Sequence, residues 1–227
     1  MAEKAVVLLS GGLDSATVLA IAKTQGYEVY ALTVDYGQRH GREIDCARSQ
    51  GRAQQVTEHR IIRVELPSKH SSVLTGPGDV PTAQPHLPTP TIPPTYVPAR
   101  NTILLSLALA WAESLGAEDI FIGATAVDYS GYPDCRGAFI EAFENLANLA
   151  TKAATQDGKK FHIHAPLLHL PKHKIIKRGK ELGVDFAQTS SCYDPDERGR
   201  ACGRCDSCAL RLKGFKQAGL TDPLQYA

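Results

Sequence analysis

Ser10-Gly11-Gly12-Leu13-Asp14-Ser15 stands between two stretches of opposite character. Before it runs Ala5-Val6-Val7-Leu8-Leu9, short and β-branched enough to form a buried parallel strand. After it, Val18, Leu19 and Ala22 recur at helical spacing until Gly26 ends the helix. The hexapeptide is therefore a strand-to-helix turn. Two glycines without Cβ are expected to take dihedrals closed to other residues and to approach a ligand closely. The turn's N–H groups and the helix N-terminus together suit an oligophosphate. Ser10 and Ser15 add hydroxyl donors, and Asp14 is placed to help hold Mg²⁺. The plainer reading is an ordinary βα turn with a Ser or Asp cap. The whole hexapeptide directly behind a buried strand favours the phosphate site.

The spacing is neither Gly-x4-Gly-Lys-Ser/Thr nor Gly-x-Gly-x-x-Gly. It resembles the SGGxDS pyrophosphate loop of the N-type ATP pyrophosphatases. That resemblance implies adenylation of an oxygen, release of pyrophosphate, and displacement of AMP by a nitrogen or sulfur nucleophile.

The chain's 227 residues suffice for one α/β domain with an appendage. Lys+Arg 25 against Asp+Glu 24 gives a net charge of +1, which provides no basic excess for a nucleic-acid backbone. No apolar run approaches membrane-spanning length and the N-terminus leads straight into the first strand. We therefore expect no signal peptide, no membrane partner and a cytoplasmic location. In that compartment the six cysteines do not read as three disulfides.

Residues 28–34 and 59–64 read as further strands, with a helix over 41–55 between them. Strands alternating with helices imply βαβ units and a parallel sheet, with ligands beyond the carboxyl ends of its strands. Nine of the fourteen prolines then fall within residues 65–98, which predicts a long loop or lid without periodicity. An apolar helix follows over 102–115, then a fourth strand over 119–123 and a helix over about 139–152. A fifth short strand is expected at 161–164, with helices over 172–182 and about 209–218.

Cys192, Cys202, Cys205 and Cys208 follow a Cys-x9-Cys-x2-Cys-x2-Cys spacing. Four thiolates so close in sequence can wrap one tetrahedral Zn²⁺ in a closed, structural site. An iron–sulfur cluster is the rival, and disulfides are the weaker alternative. Cys46 reads as a buried small hydrophobe, and Cys135 stands out by its position alone. Arg100-Asn101 sits at a loop-to-helix junction, where the Arg can meet phosphate or carboxylate, or Asn101 simply caps the helix. Lys172, Lys174, Lys177, Arg178 and Lys180 make a basic helix face; lysines at its start can reach ATP phosphates as point charges. The loop after the fourth strand carries Asp128, Tyr129, Tyr132, Asp134 and Arg136. A carboxylate there can accept two N–H bonds from a guanine-like edge while a tyrosine stacks on the ring; the bland reading is a turn rich in Asp and Gly.

Ser10–Ser15, Val34-Asp35-Tyr36-Gly37-Gln38, Val97–Asn101, Gly123–Arg136 and the cysteine cluster together resemble the 7-cyano-7-deazaguanine synthases of queuosine biosynthesis. Their usual Val-Pro-Gly-Arg-Asn here carries Ala99 in place of glycine. The resemblance implies ATP-dependent conversion of 7-carboxy-7-deazaguanine and free ammonia to the nitrile. It implies ATP with Mg²⁺ at Leu9, Ser10, Gly11, Gly12, Leu13, Asp14, Ser15, Val34 and Arg100, with Ser10, Asp14, Ser15, Arg100 and Lys172 as catalytic groups. The deazaguanine would meet Asp128, Tyr129, Tyr132, Asp134 and Arg136, and one structural Zn²⁺ the four cysteines. The family's net reaction is commonly written with ADP and phosphate, whereas the loop chemistry suggests AMP and pyrophosphate. The expected fold is a Rossmann-like, doubly wound, mainly five-stranded parallel sheet over residues 1–186, with a zinc-binding tail over 187–227 and a homodimer left open. Two other classes stay open: a tRNA-modifying enzyme of the same superfamily, and a non-catalytic zinc-ribbon module.

Overall fold

The protein is described from a computed structural model, which covers residues 2–38, 41–66, 71–83, 92–127 and 131–227. Five strands form one all-parallel sheet: β1 (Lys4–Leu8), β2 (Glu28–Asp35), β3 (Glu58–Arg63), β4 (Asp119–Phe121) and β5 (His162–His164), in the order β3-β2-β1-β4-β5. The central strand alternates between two cores. Val6 and Leu8 face one and Ala5, Val7 and Leu9 the other, so its apolar run is buried on both sides.

Helices α1 (Leu13–Thr24), α6 (Lys172–Glu181) and α7 (Asp206–Ala218) cover the second face, joined by Ala47 of α2 (Arg42–Ala53). The first face is covered by α3 (Arg100–Leu115) and α4 (Gly137–Ala150). The expected helix over 139–152 is interrupted: Thr151 ends α4 and its hydroxyl accepts from Ala154 N, capping a single turn, α5 (Lys152–Thr155). The last helix starts three residues earlier than expected, at Asp206, because Cys205 takes the extended N-cap conformation. Among the described residues no helix is long and apolar enough to cross a membrane.

Winding reverses between β1 and β4. Chain leaves β1 toward β2 on one side and reaches β4 on the other, which opens a crevice at the carboxyl ends of these two strands. Gly123 sits at the crevice floor; a Cβ there would stand 3.2 Å from Ser15 N, so its absence lets the exit of β4 lie against the start of α1.

The cysteine-bearing tail is built into this body. Phe215 of α7 belongs to the core under the sheet, and Arg211 is 3% exposed, in an ion pair with Asp222 at 2.8 Å. The described part of the proline-rich stretch also joins it: Ala83 N donates to Arg204 O at 2.7 Å, and Thr82 bridges Cys205.

Candidate active site

The turn after β1 holds its shape through its own serines. Ser10 Oγ and Ser15 Oγ lie 3.0 Å apart, Ser10 N donates to Ser15 Oγ at 3.2 Å, and Ser15 Oγ donates to Gly12 O at 3.1 Å. Gly11 has φ +86°, and a Cβ there would run into Glu43 O and Ala47 N of α2. Glycine is required at that position for both reasons. Gly12 departs from the expectation: its φ is −78°, open to any residue, so its missing side chain serves space rather than dihedral freedom. It is the N-cap of α1 and offers no side-chain cap, which leaves the first-turn N–H groups to long bonds. Gly12 N reaches Ser10 Oγ at 3.3 Å and Leu13 N reaches Ser191 Oγ at 3.4 Å. Such long bonds give way to an anion, so the loop fits an oligophosphate.

The loop forms one wall of a cavity of about 290 Å³, lined also by Val34, Tyr36, Glu43, Arg100, Tyr132 and Lys172. Lys172, in the first turn of α6, donates to both carboxylate oxygens of Asp14 at 2.8 Å. A lysine at a helix N-terminus meets the positive end of the dipole, and Asp14 offsets this. Arg100 opens α3 and donates from Nη1 to Tyr36 Oη at 3.4 Å. The preceding residue, Ala99, is left-handed at φ +54°, a conformation that favours glycine. Ser10, Asp14, Ser15, Arg100 and Lys172 thus converge on one cavity, with Leu9, Gly12, Leu13 and Val34 in its lining and Gly11 beneath the loop.

The expected base-reading residues are not brought together in this way. Asp128 and Tyr129 lie outside the described residues. Tyr132 is buried in the cavity wall, its hydroxyl 2.8 Å from Thr95 Oγ1. Asp134 turns inward instead: its Oδ2 accepts from Asn101 N at 3.0 Å, satisfying a first-turn donor of α3, and Asn101 Nδ2 donates to its backbone oxygen at 2.9 Å. Its carboxylate is therefore committed to a helix end, and Asn101 is the capped residue rather than the cap. Arg136 is exposed at the start of α4, outside the cavity lining. Cys135 reaches the cavity, but burial, aided by Asp134, pushes its thiol up to about 11, far from a thiolate at neutral pH.

Sequence reading missed several lining groups. Glu43, in the first turn of α2, has no ion pair among the described residues; burial pushes its carboxyl up to about 7, against the pull of Arg100. Ser190, Ser191 and Tyr193 reach the cavity from the segment before and after Cys192. The only sequence signal for them is their adjacency to a cysteine of the cluster.

The four cysteine sulfurs lie within 4.8 Å of one another, and Cys202 Sγ is 4.0 Å from Cys208 Sγ. One ion held tetrahedrally at a metal–sulfur distance of about 2.3 Å sets its sulfurs about 3.8 Å apart, close to this spacing. Backbone N–H groups of Asp194 and Cys202 point at Cys192 Sγ, at 3.3 and 3.2 Å, as supports for a thiolate. The residues fit a closed four-thiolate metal site.

A parallel sheet in the order β3-β2-β1-β4-β5, with a Ser-Gly-Gly-Leu-Asp-Ser turn at its switch point, is a doubly wound α/β fold with its cavity where such folds place ligands. Among solved structures, NMN synthetase from Francisella tularensis shares the fold, with a TM-score of 0.50 and 16% identity over 97% of this chain and 79% of that one. The family described as queuosine biosynthesis protein QueC matches residues 4–219, and the chain belongs to it. Curated relatives named 7-cyano-7-deazaguanine synthase include the Thiobacillus denitrificans protein, 60% identical over 98% of both chains. Another, from Azotobacter vinelandii, is 58% identical over 99% of this chain and 98% of its own.

Proposed function

We propose that the protein is an ATP-dependent 7-cyano-7-deazaguanine synthase, converting 7-carboxy-7-deazaguanine and ammonia to the nitrile. The observation that carries this is identity of more than half the residues, end to end, with proteins of that name, joined to a phosphate turn opening into a cavity. A carboxylate resists ammonia until one oxygen becomes a leaving group. Attack of the ring carboxylate on the α-phosphorus of ATP supplies that group and releases pyrophosphate. Ammonia then displaces AMP and loses a proton, leaving the amide. A second ATP then activates the amide oxygen in the same way, releasing pyrophosphate, and loss of AMP and both N–H protons leaves the nitrile.

In this reading the N–H groups of Gly12 and Leu13, with Ser10 and Ser15, hold the phosphates. Lys172 faces the departing pyrophosphate and Asp14 the Mg²⁺ that accompanies it. Arg100 offsets the substrate carboxylate's charge, Tyr36, Tyr132 and Tyr193 enclose the ring, and Glu43 takes up protons as ammonia adds. With Asp134 committed to α3, Asp128 is the carboxylate left to read the N1/2-amino edge. One Zn²⁺ on the four cysteines supplies folding energy to the tail and no chemistry, since four thiolates leave no open position.

Purified protein incubated with ATP, ammonium and the carboxylated deazaguanine should yield the nitrile by mass spectrometry, with AMP and pyrophosphate accumulating. Absence of nitrile with every substrate present would overturn the reading. Elemental analysis should give about one zinc per chain; an iron–sulfur absorption band would exclude zinc.

A further inference from the structure

Thr189-Ser190-Ser191-Cys192-Tyr193 crosses the cavity wall without helix or strand. Its middle lies on the phosphate turn. Ser190 N donates to Gly11 O at 2.9 Å, Leu13 N donates to Ser191 Oγ at 3.4 Å, and Ser191 Oγ sits 3.2 Å from where a Cβ on Gly12 would stand. Each end is tied to a different anchor. On one side Arg211, buried and paired with Asp222, donates from Nη1 to Thr189 Oγ1 at 2.7 Å and from Nη2 to Phe186 O at 3.0 Å. On the other side Cys192 belongs to the four-sulfur cluster.

We infer that Ser190 and Ser191 form a strap that closes the nucleotide's phosphate seat, and that metal binding at the cysteines and nucleotide binding at the turn are coupled through it. The inference rests on the nucleotide-site reading above. The Arg211 anchor is built from the buried body of the protein. The Cys192 anchor lies in a stretch, 192–205, with no helix or ladder of its own, held by isolated bridges at Ala201 and Cys205 and by turn bonds at Asp196, so a metal there removes the conformational freedom these few contacts leave. With that end released, the Ser190 N–Gly11 O contact loosens, and the seat loses the Ser191 hydroxyl that turns from Leu13 N to the phosphate when the nucleotide binds. A nucleotide that needs that hydroxyl then binds more weakly, and by linkage it must tighten the metal by the same factor. Ser191 is a positioning residue in this scheme.

The test measures zinc affinity of the full-length, zinc-loaded protein by competition with a zinc-selective chromophoric chelator, with and without saturating Mg²⁺ and a non-hydrolysable ATP analogue. Calorimetry of the analogue runs in parallel. The expected result is zinc held at least about fivefold more tightly with the analogue bound. The Ser191→Ala protein, zinc-loaded and folded, should lose most of that factor while keeping its zinc stoichiometry. Equal zinc affinity with and without an analogue that calorimetry shows to be bound overturns the coupling alone. No calorimetric binding of the analogue overturns the nucleotide site itself, and the coupling with it. A Ser191→Ala protein with the full factor removes Ser191 from the strap and overturns the assignment.

Discussion

Lys172 Nζ lies 2.8 Å from both carboxylate oxygens of Asp14, across 158 residues of sequence, and joins the first turn of α6 to the first turn of α1. The side chains are 14% and 31% exposed, so the pair is sheltered yet open to a ligand. Lys172 opposes the dipole of its own helix, whereas Asp14 suits the first turn of α1, so the pair places a lysine at a helix start that only a neighbouring anion favours. Asp14→Asn and Lys172→Met should both fold, by circular dichroism and thermal melt. Each should lower kcat/KM about 100-fold or more, the usual scale for removing one charge-stabilising group. Turnover within about threefold of wild type, a gap too small for such a group, would place the phosphate chemistry elsewhere.

The two glycines of the turn should behave differently. Gly11→Ala combines a left-handed backbone with a clash against backbone atoms of α2, which have no way to yield. Its cost should be about 2–5 kcal/mol, seen as a large fall in melting temperature. Gly12→Ala has an ordinary φ, and its Cβ is tight only against the movable hydroxyl of Ser191 at 3.2 Å, with Ser10 Oγ and Ser190 O at ordinary contact distance, so it should stay within about 1 kcal/mol of wild type. Its methyl should instead weaken ATP in calorimetry. Equal losses of stability in the two variants would contradict the geometry.

Ala99 is exposed at φ +54°, where a Cβ is strained and buries nothing. Ala99→Gly should relieve this, with a net gain of about 0.5–1 kcal/mol after the added entropy of the unfolded chain. A rise in melting temperature of about 1–4 °C is expected at this chain length. A fall would show that the left-handed conformation carries no strain here.

Glu43 ties stability to pH. Its folded pKa, raised to about 7 from 4.5, means that the folded state holds a proton the unfolded chain has released between those values. Stability from this group is full below about pH 4.5 and is lost as pH rises through about 7. Glu43→Gln removes the titration, so the variant should match wild type in melting temperature near pH 4.5 and exceed it at pH 8. The same variant should lose turnover if the carboxylate takes up protons from ammonia, a trade of activity for stability. Parallel melting curves across that range would show that Glu43 does not titrate between the two values.

Local features of this protein were legible in the chain because their causes are local. A β-branched run, a glycine turn and an apolar recurrence at helical spacing announce β1, the phosphate turn and α1 through the dihedrals and faces of neighbouring residues. Cys202, Cys205 and Cys208, separated by two residues each, meet around one point for the same reason, since a short tether holds them. Helix ends were less legible: Thr151 splits an expected helix through one hydroxyl, and Cys205 advances another by its backbone conformation.

Which partner a side chain takes across the fold was decided elsewhere. Asp134 was as plausible a base reader as any carboxylate beyond β4 until packing brought the end of α3 beneath it. Glu43 carried no signal in the sequence beyond its place in an expected helix, until α2 settled against Gly11 and brought its first turn toward Arg100. Lys172 was named beside Asp14 through the resemblance, while the residues alone offered any lysine at the start of a basic helix; the bond between the two came with the packing of α6 against α1. Dihedral preference and periodicity act over a few residues and are written in the chain. The charge and hydrogen-bond environment of a site is the sum of groups brought together from distant segments, and it exists only once the sheet order and the packing of its helices have placed them.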